Sequence, residues 1–192
     1  GIRNVVIGMQ DPFAQVDGRG IRRLRAAGTE VTVGVLEAEC RELNRRFLCF
    51  HEKQRPYIIL KWAETTDGFI DNDRDPKTTP PTWMTGTACQ ILVHRWRSEE
   101  DAIMAGVNTL LRDDPALTVR KWNGNDPLRV TIDNHNRLTG RELFFAERKG
   151  RFEPNYRVYQ DMSLAEMLAA LHTEGIQSLF VEGGARLLQS FI

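Results

Sequence analysis

At 192 residues the chain is long enough for one substantial core, and with 26 Lys plus Arg against 26 Asp plus Glu it carries no net charge. That balance gives no sign of a basic nucleic-acid or membrane surface. Its longest apolar runs, such as 57–60, fall far short of the roughly 20 residues that cross a bilayer.

The amino-terminal stretch has no signal-peptide pattern, and the three cysteines, Cys40, Cys49 and Cys89, show no disulfide framework, so a reducing cytoplasm is expected. Residues 4–8 (NVVIG) read as a short strand, and Asp11-Pro12 opens a turn that runs to Gly18 and Gly20. A helix over 21–27, with Leu24 inward and its arginines outward, is closed by Gly28 as a left-handed cap. A strand over 31–35 and a helix over 37–48, with Leu43, Phe47 and Leu48 at helical spacing, complete a βαβα piece too small to stand alone. The charged cluster HEKQR before Pro56 reads as a linker, which puts a boundary near Lys53 and divides the chain into 1–52 and 53–192.

A new strand covers 57–63 (YIILKWA). Lys61 within it reads either as an exposed strand end or as a group aimed into a cleft. Asp67-Gly68 permits a tight turn, and the polar, proline-rich run 71–81 (DNDRDPKTTPP) reads as a mobile surface loop. Trp83 reads as a hydrophobic plug or as a platform for a flat ring. Thr85 or Thr87 caps a helix reaching about Glu100, with Ile91, Leu92 and Trp96 at helical spacing.

The stretch 102–120 (AIMAGVNTLLRDDPALTVR) begins as a buried strand and breaks at Gly106. It passes through a turn-rich segment at Asn108 and Thr109, then crowds Asp113, Asp114, Pro115, Thr118 and Arg120 together. In an α/β protein ligands sit outside the carboxyl ends of strands, where this loop would lie; an aspartate pair before proline also serves as a plain turn. Residues 127–132 (PLRVTI) form a strand ending in turn formers, with His135 solvated. The passage 138–159 offers one apolar group, Leu143, Phe144 and Phe145. Ser163 caps a helix over 164–172 whose apolar face is Leu164, Met167, Leu168 and Leu171. The last strand, 177–182 (QSLFVE), runs into Gly183-Gly184 and a helix over 185–191. Glycines there serve either as a phosphate cradle or for close packing. Glu182 ends a buried strand, where a carboxylate is costly unless it meets a ligand or a basic side chain.

Cys40 and Cys49 lack the His-x-Glu and Pro-Cys context of a zinc deaminase, and neither GxGxxG after a strand nor GxxxxGK[ST] occurs. The motifs LKWAETTDG (60–68), TWMTG (82–86), HRWRSEEDAIMAGVNTLLRDDPALTVR (94–120) and SLFVEGGARLLQSF (178–191) resemble the reductase domain of the bifunctional riboflavin-biosynthesis deaminase/reductases. VVIGMQDPFAQVDGRGIRRLRAAG and ELNRRFL resemble the tail of their deaminase domain. The resemblance implies a dihydrofolate-reductase-like α/β domain with a mainly parallel sheet, over 53–192. Residues 1–52 would then be the βαβα remnant of a cytidine-deaminase-like domain whose zinc-binding half lies outside this chain.

The implied reaction is NADPH-dependent reduction of the ribose of 5-amino-6-(5-phosphoribosylamino)uracil to a ribityl chain, and the resemblance implies a cytoplasmic, homo-oligomeric enzyme, with a dimer expected. By position, Ala63, Trp83, Thr109, Asp113, Asn134 and the run Gly184, Ala185, Arg186, Leu187, Leu188, Gln189, Ser190 fall where the family contacts the cofactor. Pro81, Arg97, Leu117, Arg120 and Glu182 fall where it contacts the substrate. Pro81 and Asn134 replace serines of the family. Arg97 and Arg120 suit a sugar phosphate, and Lys61, Asp67 and Glu182 are the candidates to polarise or protonate the opened sugar. The family's passage over 143–159 is longer, and its final strands come after Ile192. An inert reductase-like module for assembly or regulation and a pterin reductase are the competing readings.

Overall fold

The structure, a computed structural model, describes residues 1–13, 15–148 and 151–192. Ala14, in the turn expected after Asp11, and Lys149 and Gly150, in the passage before Tyr159, lie outside the described residues. The chain divides into two compact units, Gly1–Tyr57 and Ile58–Ile192.

In the first unit, β1 (Asn4–Ile7) and β2 (Glu30–Val33) pair in parallel with Val5 opposite Val31. A parallel pair needs a crossover, which α1 (Arg19–Ala26) supplies before Gly28 turns the chain at φ 82°. The single helix expected over 37–48 is two, α2 (Glu37–Leu43) and α3 (Arg45–Lys53). Asn44 separates them, its side-chain amide donating to the Cys40 carbonyl at 2.8 Å, a local bond that competes with the helical ladder. The apolar stripe belongs to α3, where Leu48 and Cys49 are buried, while Leu43 is 82% exposed. That burial carries α3 through His51–Lys53, so the expected linker is its last turn; Gln54 at φ 53° ends it, just before Pro56.

The second unit is built on a five-stranded sheet. Its order is β3 (Tyr57–Lys61), β7 (Ser178–Glu182), β4 (Ala102–Met104), β5 (Leu128–Ile132), β6 (Tyr156–Tyr159), and the pairs β7–β4, β4–β5 and β5–β6 are parallel. Central strands buried on both faces read as continuous apolar runs, as β4 does. The period of two still sorts them. Met104, Val130 and Val181 face a core closed by Met167 and Leu171 of α6 (Leu164–Thr173) and Leu188 of α7 (Ala185–Gln189). Ile103 and Phe180 face a second core with Leu110 of α5 (Val107–Asp113), Leu117 and Phe144. Each such fully buried side chain contributes about 1.5–3 kcal/mol. α4 (Thr87–Glu99) covers the same side, its Trp96 ring meeting Phe180 edge-on at 6.4 Å.

Ser163 caps α6 in a reciprocal capping box with Glu166. The threonine cap expected for α4 is not made, because Gly86 occupies the N-cap. A charge inside the sheet was not anticipated. Arg129 on β5 is 1% exposed and donates to the carbonyls of Leu143 at 2.8 Å and Ala146 at 2.6 Å and to the Asn155 amide oxygen at 2.5 Å. Burial pushes its pKa down to about 10, and those bonds satisfy the guanidinium while tying Leu143, Ala146 and Asn155 to β5.

Candidate active site

The parallel strands deliver their ends to one cleft of about 840 Å³, within the range of small-molecule sites. β4 enters through Gly106, and the segment after it is a helix where a polar turn was expected. Val107 and Leu110 are spaced for the inner face of α5, Leu110 is buried, and Asp114 at φ 39° ends the helix ahead of Pro115. The aspartate pair then divides its work. Asp113 meets the Arg74 guanidinium, and Asp114 accepts the backbone N–H of Leu143 at 2.6 Å.

Arg74 lies in the loop that the sequence presents as mobile surface, yet its side chain is only 4% exposed. It bonds Asp71, the Thr79 carbonyl at 3.1 Å and Asp113, and its own carbonyl accepts from Arg112 at 2.9 Å. The Asp113 bond holds its pKa above the ordinary arginine value despite burial. The loop is thereby pinned to α5, and it carries Pro81 and Trp83 to the cleft wall. Trp83 is 73% exposed, which rules out the hydrophobic plug. Trp62, 50% exposed, and Phe69 also line the cleft, so flat aromatic faces are available for stacking.

At the end of β7, Glu182 meets Arg97 of α4 fork to fork, with Nε to Oε1 at 2.6 Å and Nη2 to Oε2 at 2.8 Å. The two side chains are 11% and 13% exposed, and Arg97 also donates to the Thr118 carbonyl at 3.0 Å. The costly carboxylate thus has a basic partner, and that partner's fork is already engaged. Lys61, half-buried at the end of β3, also faces the cleft and has no hydrogen-bond or ion-pair partner among the described residues.

Gly183 and Gly184 differ in purpose. A Cβ on Gly183 would lie 2.9 Å from the Leu187 Cδ2, the end of a half-buried side chain that must turn aside, whereas a Cβ on Gly184 would meet nothing within 4 Å. Gly184, Ala185, Arg186 and Leu187 line the cleft, as do Ala63, Thr109, Asp113 and Leu117.

Other expected residues lie elsewhere. Leu188 is buried in the core, the Ser190 hydroxyl donates to the Leu187 carbonyl, and Gln189 is exposed outside the cleft lining. Asn134 spends its amide on both backbone groups of Met162. Asp67 accepts from the Thr65 hydroxyl outside the cleft lining. Arg120 is not among the cleft-lining residues; its guanidinium donates to the Thr118 hydroxyl at 2.8 Å and its backbone N–H to His94 Nδ1 at 3.0 Å. Arg74, Arg112 and Arg137 reach the cleft without having been singled out, since lone arginines in polar runs carry no periodic signal.

Residues 56–192 match the family model described as the RibD C-terminal domain. The riboflavin biosynthesis protein RibD of Aquifex aeolicus is 35% identical over 210 residues, covering all of this chain and 58% of that protein. The Synechocystis protein of the same description is 44% identical over 133 residues, covering 69% of this chain and 35% of the relative. A crystal structure from Thermotoga maritima, described as a diaminohydroxyphosphoribosylaminopyrimidine deaminase/5-amino-6-(5-phosphoribosylamino)uracil reductase, superposes with a TM-score of 0.85 at 33% identity, over all of this chain and 56% of that one. The chain thus spans a little over half the length of these full-coverage relatives.

Proposed function

The chain belongs to the RibD C-terminal domain family, and from that membership we propose that its cleft reduces the ribose of 5-amino-6-(5-phosphoribosylamino)uracil to the ribityl chain with NADPH, a step of riboflavin biosynthesis. The α/β fold with a largely parallel five-stranded sheet is the dihydrofolate-reductase-like one expected of such a reductase. The first unit is the end of a deaminase domain on this reading. The free thiols of Cys40, Cys49 and Cys89 suit a cytoplasmic setting, and no helix among the described residues is long and apolar enough to cross a membrane.

The observation that carries the reading is the convergence of Lys61, the Arg97–Glu182 pair and the Gly183-Gly184 turn on one cleft lined by exposed tryptophans. The space around Gly184, where a Cβ would meet nothing, suits the close approach of a phosphate, and Trp83 suits a planar ring. NADPH supplies the hydride when bound, and the protein's work is to align and to move a proton. As the C1–ring-oxygen bond of the ribose breaks, C1 takes the hydride and the released oxygen takes one proton. Lys61 is the donor, because its ammonium has no other partner. Glu182, held by Arg97, keeps lone pairs for sugar hydroxyls, and Leu117 and Arg120 position the segment beside it.

The test is NADPH oxidation with the uracil phosphoriboside as substrate. Lys61→Ala lowers kcat by about 10²–10⁴-fold while NADPH still quenches tryptophan fluorescence. No turnover by the unaltered chain, together with no quenching, would sink the proposal.

A further inference from the structure

Five arginines line the cleft, and their partners divide them. Arg74 and Arg97 are spent on carboxylates, two for the first and Glu182 for the second. Arg112, Arg137 and Arg186 have no carboxylate within ion-pair distance among the described residues. Two of these three are nevertheless held in place, and by neutral acceptors. Arg137 donates from Nη1 to the Asn108 amide oxygen at 2.6 Å, and Arg112 donates from Nη2 to the Arg74 carbonyl at 2.9 Å. Asn108 and Arg112 are four residues apart on α5, so they stack on one face and bring Arg137 into line with Arg112. Asp133, whose carboxylate feels the Arg137 charge, is buried and accepts the Leu138 backbone N–H at 2.9 Å.

Cations that are positioned but not neutralised are what a dianion needs, and guanidinium forks match its oxygens. We propose that Arg137, steered by Asn108, and Arg112 form a seat for a phosphomonoester on the α5 side of the cleft. The proposal rests on the reading that the cleft takes phosphorylated ligands, and it moves the phosphate contact away from Arg97. Two ligands of that reaction carry such a group: the 2′-phosphate of NADPH and the 5-phosphate of the substrate sugar.

Tryptophan quenching with NADPH and NADH, and calorimetry with ribose 5-phosphate, separate the two for the unaltered chain, Arg137→Gln, Arg137→Lys and Arg112→Gln. Both arginines are exposed, so their loss spares the core, and a thermal melt checks this. Arg137→Gln and Arg112→Gln each weaken the phosphomonoester ligand about 10- to 100-fold, with the lysine variant in between. A loss for NADPH with NADH unchanged assigns the seat to the cofactor, and a loss confined to ribose 5-phosphate assigns it to the substrate. Unchanged binding of every ligand, or equal loss of NADPH and NADH, overturns the seat. If the unaltered chain binds neither nucleotide, the cofactor reading fails by itself. The ribose 5-phosphate arm then still decides: weakening by Arg137→Gln upholds the seat, and no weakening removes it.

Discussion

His94 is buried on α4, one turn before Arg97, and its Nδ1 accepts the Arg120 backbone N–H at 3.0 Å. A nitrogen that accepts carries no proton, so the ring is neutral. Burial, and then the charges of Arg97, Arg120 and Lys121, push its pKa below the ordinary 6.5. The unfolded chain therefore binds the proton more tightly than the folded one. Stability from this group is complete above pH 6.5 and is lost as pH falls toward the lowered folded value. Asp133 and Glu142, whose backbone bonds outweigh burial and hold their pKa values below 3.8 and 4.5, keep their contribution throughout this window and lose it only at lower pH. Thermal melts between about pH 7 and pH 5 show the midpoint of the second unit falling. In His94→Gln, whose amide oxygen can accept the same N–H, the fall flattens. An undiminished slope in that variant removes His94 as the cause.

At the scale of elements, the strand-to-helix turn at 183–185 separates packing from binding in two adjacent glycines. Gly183→Ala puts a Cβ against the Leu187 Cδ2, which must turn aside on the side chain that packs α7 on the sheet, and destabilises by up to about 1 kcal/mol after the gain from a stiffer unfolded chain. Gly184→Ala, with φ −72° and open space around it, leaves the melt nearly unchanged but puts a methyl group into the cleft, so NADPH binds more weakly. Chemical denaturation and fluorescence titration check the pair, and the reverse pattern would contradict the assignment. The turn itself was legible, because an apolar run ending in glycines before Ala185, Leu187 and Leu188 has few alternatives. α5 was harder to read. Its seven residues are too short for a clear period, and Asn108, Thr109 and the aspartates look like turn formers until Leu110 is seen buried. Arg74 was illegible for a different reason. Its burial depends on Asp113, 39 residues away, and no local pattern carries that information.

The same limit holds for the whole molecule. The apolar cores of β4, β5 and β7 follow from their sequences, but the strand order and the pairing of Arg97 with Glu182 across 85 residues follow only from the sheet. The division of the chain has a thermodynamic consequence. Among the described residues of the first unit the buried apolar side chains are Val31, Leu48, Cys49 and Pro56, whereas the second has two clusters on opposite faces of its sheet. Hydrophobic stabilisation scales with the area removed from water, so the first unit is the weaker. All four tryptophans, Trp62, Trp83, Trp96 and Trp122, lie in the second unit, while α1, α2 and α3 lie in the first. Far-ultraviolet circular dichroism in a urea titration therefore begins to fall before tryptophan fluorescence does, because the two probes report different cores. Saturating NADPH moves the fluorescence transition to higher urea, by about 2.7 kcal/mol at a hundredfold excess over Kd, and leaves the early dichroism change where it was. Coincident transitions that shift together would mean that the two units unfold as one, and the separate-core account would fail.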